Sequence, residues 1–253
     1  MLNKLLSMGN QSISMTRGGA PPEKMTHYVL GTPLAPELKH PIRKVVFATG
    51  CYWGAEKSFW RMPGVYSTAV GNSGGNIEQP SYEAVCTGTT GHAESVVVFY
   101  DSTRIAFSDL LRQFLQCHDP TQGNRQGNDR GTQYRSAIYV DGEIELKLAQ
   151  AAMKQYENLL GRKVTTELLS PAPPFYYAED YMQQYLARPG NRQYCSAEPT
   201  GVQLDNFEQW APKDIPDEYK PKLPEEYWKK YGPVEGCVLH EPNPQIEWPP
   251  KKL

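Results

Sequence analysis

The segment Thr49-Gly50-Cys51-Tyr52-Trp53-Gly54-Ala55-Glu56 holds a cysteine between a β-branched run, Val45-Val46-Phe47, and a stretch without Pro or Gly, Glu56 to Trp60. That order predicts a strand ending at Thr49, a turn at Gly50 and a helix opening at or just after Cys51. A thiol at a helix N-terminus faces unpaired backbone N–H groups and the positive end of the helix dipole. Both favour the thiolate, which is the nucleophile. Tyr52 and Trp53 set two large rings beside the sulfur, the makings of an apolar slot. The competing role is the ordinary one of a free cysteine, a small buried hydrophobe.

Other residues offer acid–base chemistry. Glu94 opens the run Ser95-Val96-Val97-Val98-Phe99-Tyr100. A carboxylate at the start of a buried strand is costly unless paired, hydrogen-bonded or protonated, and a desolvated neutral one is a proton donor. The alternative is an edge residue whose head reaches water. His92, after Gly91, is either a base for Cys51, as in cysteine acyl-transfer enzymes, or a hydrogen-bonding turn residue. Tyr82 and Tyr134 flank Gly-rich stretches and offer phenolic donors, and Asp129 reads first as a turn acid. Cys86 and Cys117 read as packing residues.

The elements that must position these groups follow from periodicity. Strands are expected near 43–49, 65–71, 95–100, 136–140 and 164–169, and helices near 51–61, 108–117, 143–158 and 178–187. Residues 118–134 are polar, Gly-rich and without apolar period. Pinned between a helix and a strand, they read as a functional loop. Pro21-Pro22, Pro33 and Pro36 break any long element in residues 1–40, and residues 212–253 carry nine prolines and few aliphatics. The organisation expected is an α+β domain over 41–190, an N-terminal extension over 1–40 and a Pro-rich C-terminal extension over 191–253 lying on the domain surface.

Composition narrows the class. The chain has 253 residues, 39% hydrophobic and 21% charged, with net charge −2, as befits a globular protein. No stretch has the apolar length of a membrane span, and no basic stripe suggests a nucleic-acid partner. Five scattered cysteines (51, 86, 117, 195, 237) form neither a disulfide framework nor a zinc signature, and the five histidines are equally dispersed. A reducing compartment is expected, the cytoplasm first. The first 22 residues, with Lys4, Arg17 and no acid before Glu23, have some flavour of a mitochondrial transit peptide but read better as a disordered extension.

Gly50-Cys51-Tyr52-Trp53-Gly54-Ala55-Glu56 resembles the Gly-Cys-Phe-Trp-Gly-Ala-Glu signature of A-type peptide methionine sulfoxide reductases. Tyr82-Glu83, Thr90-Gly91-His92-Ala93-Glu94, the loop His118 to Ser136, and Glu179-Asp180-Tyr181 with Gln183-Gln184-Tyr185-Leu186 extend the resemblance in order over about 41–195. It implies a two-layer α+β mixed-sheet sandwich with a ferredoxin-like core, reducing the S epimer of methionine sulfoxide, free or in proteins. It implies Cys51 as nucleophile, Tyr52 and Trp53 as the slot for the S-methyl group, and Glu94 as the acid on the sulfoxide oxygen. Tyr82 and Tyr134 would donate hydrogen bonds, with Asp129 ordering the site. A sulfenic acid on Cys51 would be resolved by a second thiol and recharged by thioredoxin, with no metal or organic cofactor, in a monomer.

The second thiol departs from the family pattern. Tyr194-Cys195 keeps only part of a Gly-Tyr-Cys motif, and Leu204 and its neighbours lack the further cysteine of many relatives. Cys195 is expected to resolve Cys51, with Cys237 as a relay. Tyr52 in place of Phe is expected to add a hydroxyl at the slot's rim, and Met182 stands where relatives often have His. Two other classes stay in view: a Cys51–His92 acyl-transfer enzyme, and a non-catalytic thiol redox sensor.

Overall fold

A computed structural model describes residues 25–234 and 238–250. Its centre is β1 (Ile42–Thr49), whose side chains alternate between two buried faces: Val45 and Phe47 enter one apolar cluster, Val46 and Ala48 the other. The chain continues through α1 (Tyr52–Trp60), β2 (Val65–Ser73), α2 (Tyr82–Cys86), β3 (Ala93–Asp101) and α3 (Phe107–Gln116). The ribbon strands β4 (Arg125–Gln126) and β5 (Asp129–Arg130) precede β6 (Ser136–Tyr139), α4 (Glu143–Leu160), β7 (Glu167–Leu169) and β8 (Phe175–Tyr177). The six-stranded sheet has the order β7-β6-β1-β3-β2-β8, antiparallel except for β6 with β7, which α4 connects. The fold is therefore α+β around a mixed sheet. No helix among the described residues is long and apolar enough to cross a membrane.

The helices α1, α3 and α4 pack on one face through Phe59, Phe114 and Leu148. The other face is covered by Leu34, with Met25, Ala172, Phe175 and Tyr177 packed against it. Residues of the expected N-terminal extension thus belong to the packed body: Leu34 and His27 are buried. The C-terminal segment also supplies core. Leu204, Phe207, Tyr219, Tyr227 and Trp228 join the large cluster, carried in part by α5 (Phe207–Trp210) and α6 (Glu225–Tyr231). Its aliphatics are too few for a core of its own, so they complete the one beside them.

The helix expected over 178–187 is not formed. Two short turns, Asp180–Met182 and Tyr185–Ala187, flank Gln184, whose φ of +47° is left-handed. The cause is tertiary. Gln183 exchanges hydrogen bonds of 2.9 Å with both the N–H and the C=O of Val70 on β2, and Gln184 is bonded to Glu56 on α1. These contacts outweigh the local helical preference.

Candidate active site

Two local features set Cys51 in place. Gly50 has φ +94°, and a Cβ there would lie 2.6 Å from Cβ of Gln126, so both backbone and space demand glycine. Cys51 is then the residue that caps α1, ahead of its first unpaired N–H groups. One of these, the Tyr52 N–H, donates to Oε2 of Glu94 at 3.1 Å. The antiparallel register Phe47↔Val96 is what carries Glu94 to the carboxyl end of β1. Glu94 is buried, and that burial, with the Asp129 carboxylate nearby, pushes it up to about 8 against the pull of the Tyr52 N–H. Its head does not reach water, so Glu94 is not the wet edge residue that the sequence also allowed.

The thiol departs from expectation. The Trp53 and Gly54 N–H groups do favour a Cys51 thiolate. Burial and the charge of Glu94 act more strongly, and hold the thiol well above its ordinary range. The helix N-terminus is real, but at this partly buried sulfur it is the smaller effect.

Cys51, Tyr52, Trp53, Tyr82, Glu94, Asp129 and Tyr134 line one cavity of about 290 Å³. The five residues assigned to the reduction step and the two assigned to the slot meet there; His92 and Cys195 do not. Trp53 is stacked face to face on Tyr185 at 3.9 Å between centroids and meets Tyr194 edge-on. Tyr82 enters from α2, whose N-cap Ser81 accepts the Ala84 N–H. Tyr134 ends a short turn in the polar loop. Burial raises both phenols, so they stay protonated donors. The loop is fastened at its start by His118, bonded at 2.8 Å to Phe114 O and to Ser136 Oγ, and lowered by burial to about 4, hence neutral. Asp129 accepts hydrogen bonds from the Tyr194 hydroxyl at 2.6 Å and from the Ser196 hydroxyl. Tyr194 and Arg192 also line the cavity. Neither was singled out from the sequence; the only available signal was the adjacency of Tyr194 to Cys195. The Tyr52 hydroxyl is not at a rim: it is buried and has no hydrogen-bond partner among the described residues.

The family model described as peptide methionine sulfoxide reductase matches residues 43–214. The chain is 52% identical over 183 residues to the peptide methionine sulfoxide reductase of Salinispora arenicola, covering 70% of this chain and 82% of that protein. It is 49% identical over 193 residues to that of Azotobacter vinelandii, covering 74% and 88%. The chain belongs to the peptide methionine sulfoxide reductase family. Among solved structures, methionine sulfoxide reductase A of Corynebacterium diphtheriae superposes with a TM-score of 0.61 at 40% identity, covering 74% of this chain and 92% of that one. Reduced Mxr1 of Saccharomyces cerevisiae gives the same TM-score at 29% identity, covering 70% and 99%.

Two expected partners of Cys51 lie elsewhere. His92 does not line the Cys51 cavity. It is buried against Gly75, where a Cβ would collide with its ring, and edge-on to Tyr176. Neither of its ring nitrogens has a hydrogen-bond partner among the described residues, so the Cys51–His92 pairing needed for acyl transfer is not formed. Cys195 lines a second, smaller cavity on the flank of α1, with Ala55, Cys117 and Val238. Cys195 is disulfide-bonded, whereas Cys51, Cys86 and Cys117 are free thiols. Cys237 lies outside the described residues.

Proposed function

We propose that this chain reduces methionine S-sulfoxide, free and within proteins, with Cys51 as the attacking sulfur and Glu94 as the acid. The observation that carries this reading is the Glu94 carboxyl. Buried, bonded to the Tyr52 N–H and pushed up to about 8, it is a neutral proton donor at pH 7 in the cavity that holds Cys51. Protonating the sulfoxide oxygen makes the substrate sulfur electrophilic enough for attack. Tyr82 and Tyr134 donate hydrogen bonds to the same oxygen, Tyr52 and Trp53 hold the S-methyl group, and Asp129 orders the wall through Tyr194 and Ser196.

As Cys51 attacks, its thiol proton passes to the carboxylate that Glu94 leaves. The sum is Cys51-SH plus sulfoxide giving Cys51-SOH plus methionine: one sulfur loses two electrons and the other gains them. A second thiol, assigned to Cys195, condenses with the sulfenic acid to give a disulfide and water, whose oxygen came from the substrate. Cys195 serves only after its present disulfide is reduced and its segment leaves the flank cavity. Cys237, outside the described residues, is assigned as the relay, and thioredoxin as the dithiol that recharges the enzyme. The scheme needs no metal or organic cofactor. The sheet order β6-β1-β3-β2 with α1 and α3 as crossovers supports reading the core as ferredoxin-like. The odd, scattered set of five cysteines supports a reducing compartment, the cytoplasm first and the mitochondrion second.

The test is single-turnover reduction of the S and R epimers of N-blocked methionine sulfoxide by the fully reduced protein, with thiols counted afterwards. Reduction of S alone with loss of two thiols is expected. A folded, reduced protein that reduces neither epimer, or R alone, overturns the reading.

A further inference from the structure

Glu56 is a fully buried carboxylate that the reaction scheme does not use. It stands one helical turn after Trp53 on α1, and every contact it makes is an acceptance. Its Oε1 accepts from the Gln184 side-chain amide at 2.6 Å and from the Thr68 hydroxyl at 3.0 Å, and its Oε2 accepts from the Gln184 backbone N–H at 2.8 Å. Gln184 is the left-handed residue that breaks the expected helix, and the next residue, Tyr185, is the ring stacked on Trp53. The support continues outward. His27 Nδ1 accepts the Val29 and Leu30 N–H groups, so its Nε2 carries the proton and donates to Thr68 Oγ1 at 2.9 Å, leaving the Thr68 hydroxyl to donate to Glu56. The Tyr28 N–H donates to the Gln184 side-chain oxygen at 3.0 Å.

We propose that Glu56 is a positioning residue for the reductase: its carboxylate holds the left-handed turn at Gln184 so that Tyr185 backs the Trp53 wall of the sulfoxide cavity. The inference rests on the reading of Trp53 as a wall of the substrate slot. Gln184 cannot relax to a helical conformation while both of its donors are held on one carboxylate, and a left-handed non-glycine residue persists only when its surroundings over-determine it. Burial pushes the Glu56 carboxyl up to about 7 while the Gln184 and Thr68 donors pull it back, and the ionised form is the one matched to three donors. An amide at position 56 has one acceptor oxygen, so its NH2 group must face a donor, either the Gln184 N–H or the Thr68 hydroxyl and Gln184 amide. The turn then shifts, and Tyr185 moves off the indole it supports.

The experiment uses the full chain with Glu56→Gln, Tyr185→Ala and the double variant, assayed on the S epimer of N-acetylmethionine sulfoxide. Glu56→Gln is expected to raise KM about tenfold while the saturated single-turnover rate stays within about threefold, the mark of lost ground-state positioning. The double variant should cost no more than the worse single one, because both act through the same contact. The Trp53 emission, taken as the difference from Trp53→Phe, should change in Glu56→Gln as it does in Tyr185→Ala. A Glu56→Gln protein that is less stable but has unchanged KM and unchanged Trp53 emission overturns the proposal, as does strict additivity with Tyr185→Ala. If Glu56→Gln does not fold, Gln184→Gly takes its place. It tolerates the left-handed φ, keeps the backbone N–H and loses the side-chain bonds, and should raise KM about threefold; an unchanged KM there also overturns the proposal. A wild-type protein that fails to reduce sulfoxide sinks the functional reading instead, which keeps the two failures apart.

Discussion

At Cys51 the first-turn N–H groups pull toward ionisation, while burial and Glu94 push harder the other way. The resting site therefore carries both protons, one on each group, and the acid is the one that titrates nearer neutrality. Glu94 stays protonated below about 8 and loses its proton above it. We expect kcat/KM for the reductive step to fall as pH rises through about 8, because the ionised acid can no longer donate and repels the forming thiolate. Glu94→Gln should lose about a hundredfold in rate and show no break near pH 8. A rate that instead climbs through that range would mean that thiolate formation limits the step and that Glu94 has been given the wrong role. Tyr52 gives a second residue-scale expectation. Its buried hydroxyl has no partner among the described residues, so Tyr52→Phe should keep activity and gain about 1 kcal/mol in urea unfolding. A loss of activity would mean that the hydroxyl meets the substrate.

Elements positioned these residues with uneven legibility. The strand–glycine–cysteine–helix sequence was readable because its signals are local: β-branched residues before, a helix former after, and a left-handed turn that favours glycine. Residues 178–187 misled for the opposite reason, since Gln183 and Gln184 bond to β2 and α1, more than a hundred positions away in sequence. The C-terminal segment is held in a similar way. Asp109, buried in the first turn of α3, accepts the N–H groups of Lys222 at 2.9 Å and Leu223 at 3.3 Å as well as that of Ala106. Asp109→Ala should orphan those donors, cost about 1–3 kcal/mol and speed limited proteolysis within 205–234 while leaving the single-turnover rate nearly intact. Unchanged proteolysis would show that apolar contacts alone dock the segment.

At the scale of the whole molecule, the attacking sulfur and the proposed resolving sulfur line different cavities. Cys51 faces the site, and Cys195 lies bonded on the flank of α1. With Cys195 as the proposed resolving residue, Cys195→Ser should still reduce one equivalent of sulfoxide, accumulate a dimedone-reactive Cys51 and stop with thioredoxin as reductant. Normal turnover of Cys195→Ser with thioredoxin would remove Cys195 from the resolving role. The segment carrying Cys195 also carries Tyr194 and Ser196, both bonded to Asp129, so its departure from the flank cavity alters the wall of the site as well.

Which residues meet in the site was legible through the family motifs around positions 51, 82, 94, 129 and 134; read singly, those residues left a turn acid, a wet edge carboxylate and unremarkable tyrosines open. The sequence by itself determined the core strands and most helices, because periodicity of 2 or 3.6 is a local property. Only the tertiary structure decided the protonation of Cys51 and Glu94, since burial is the largest cause of both shifts and burial is made by residues distant in sequence. It also decided that His92 lies away from the thiol, that Gln184 turns left-handed, and that residues 25–34 and 204–228 belong to the packed body. Each of these is settled by long-range hydrogen bonding or by apolar surface completing a core begun elsewhere, and neither leaves a period in the sequence.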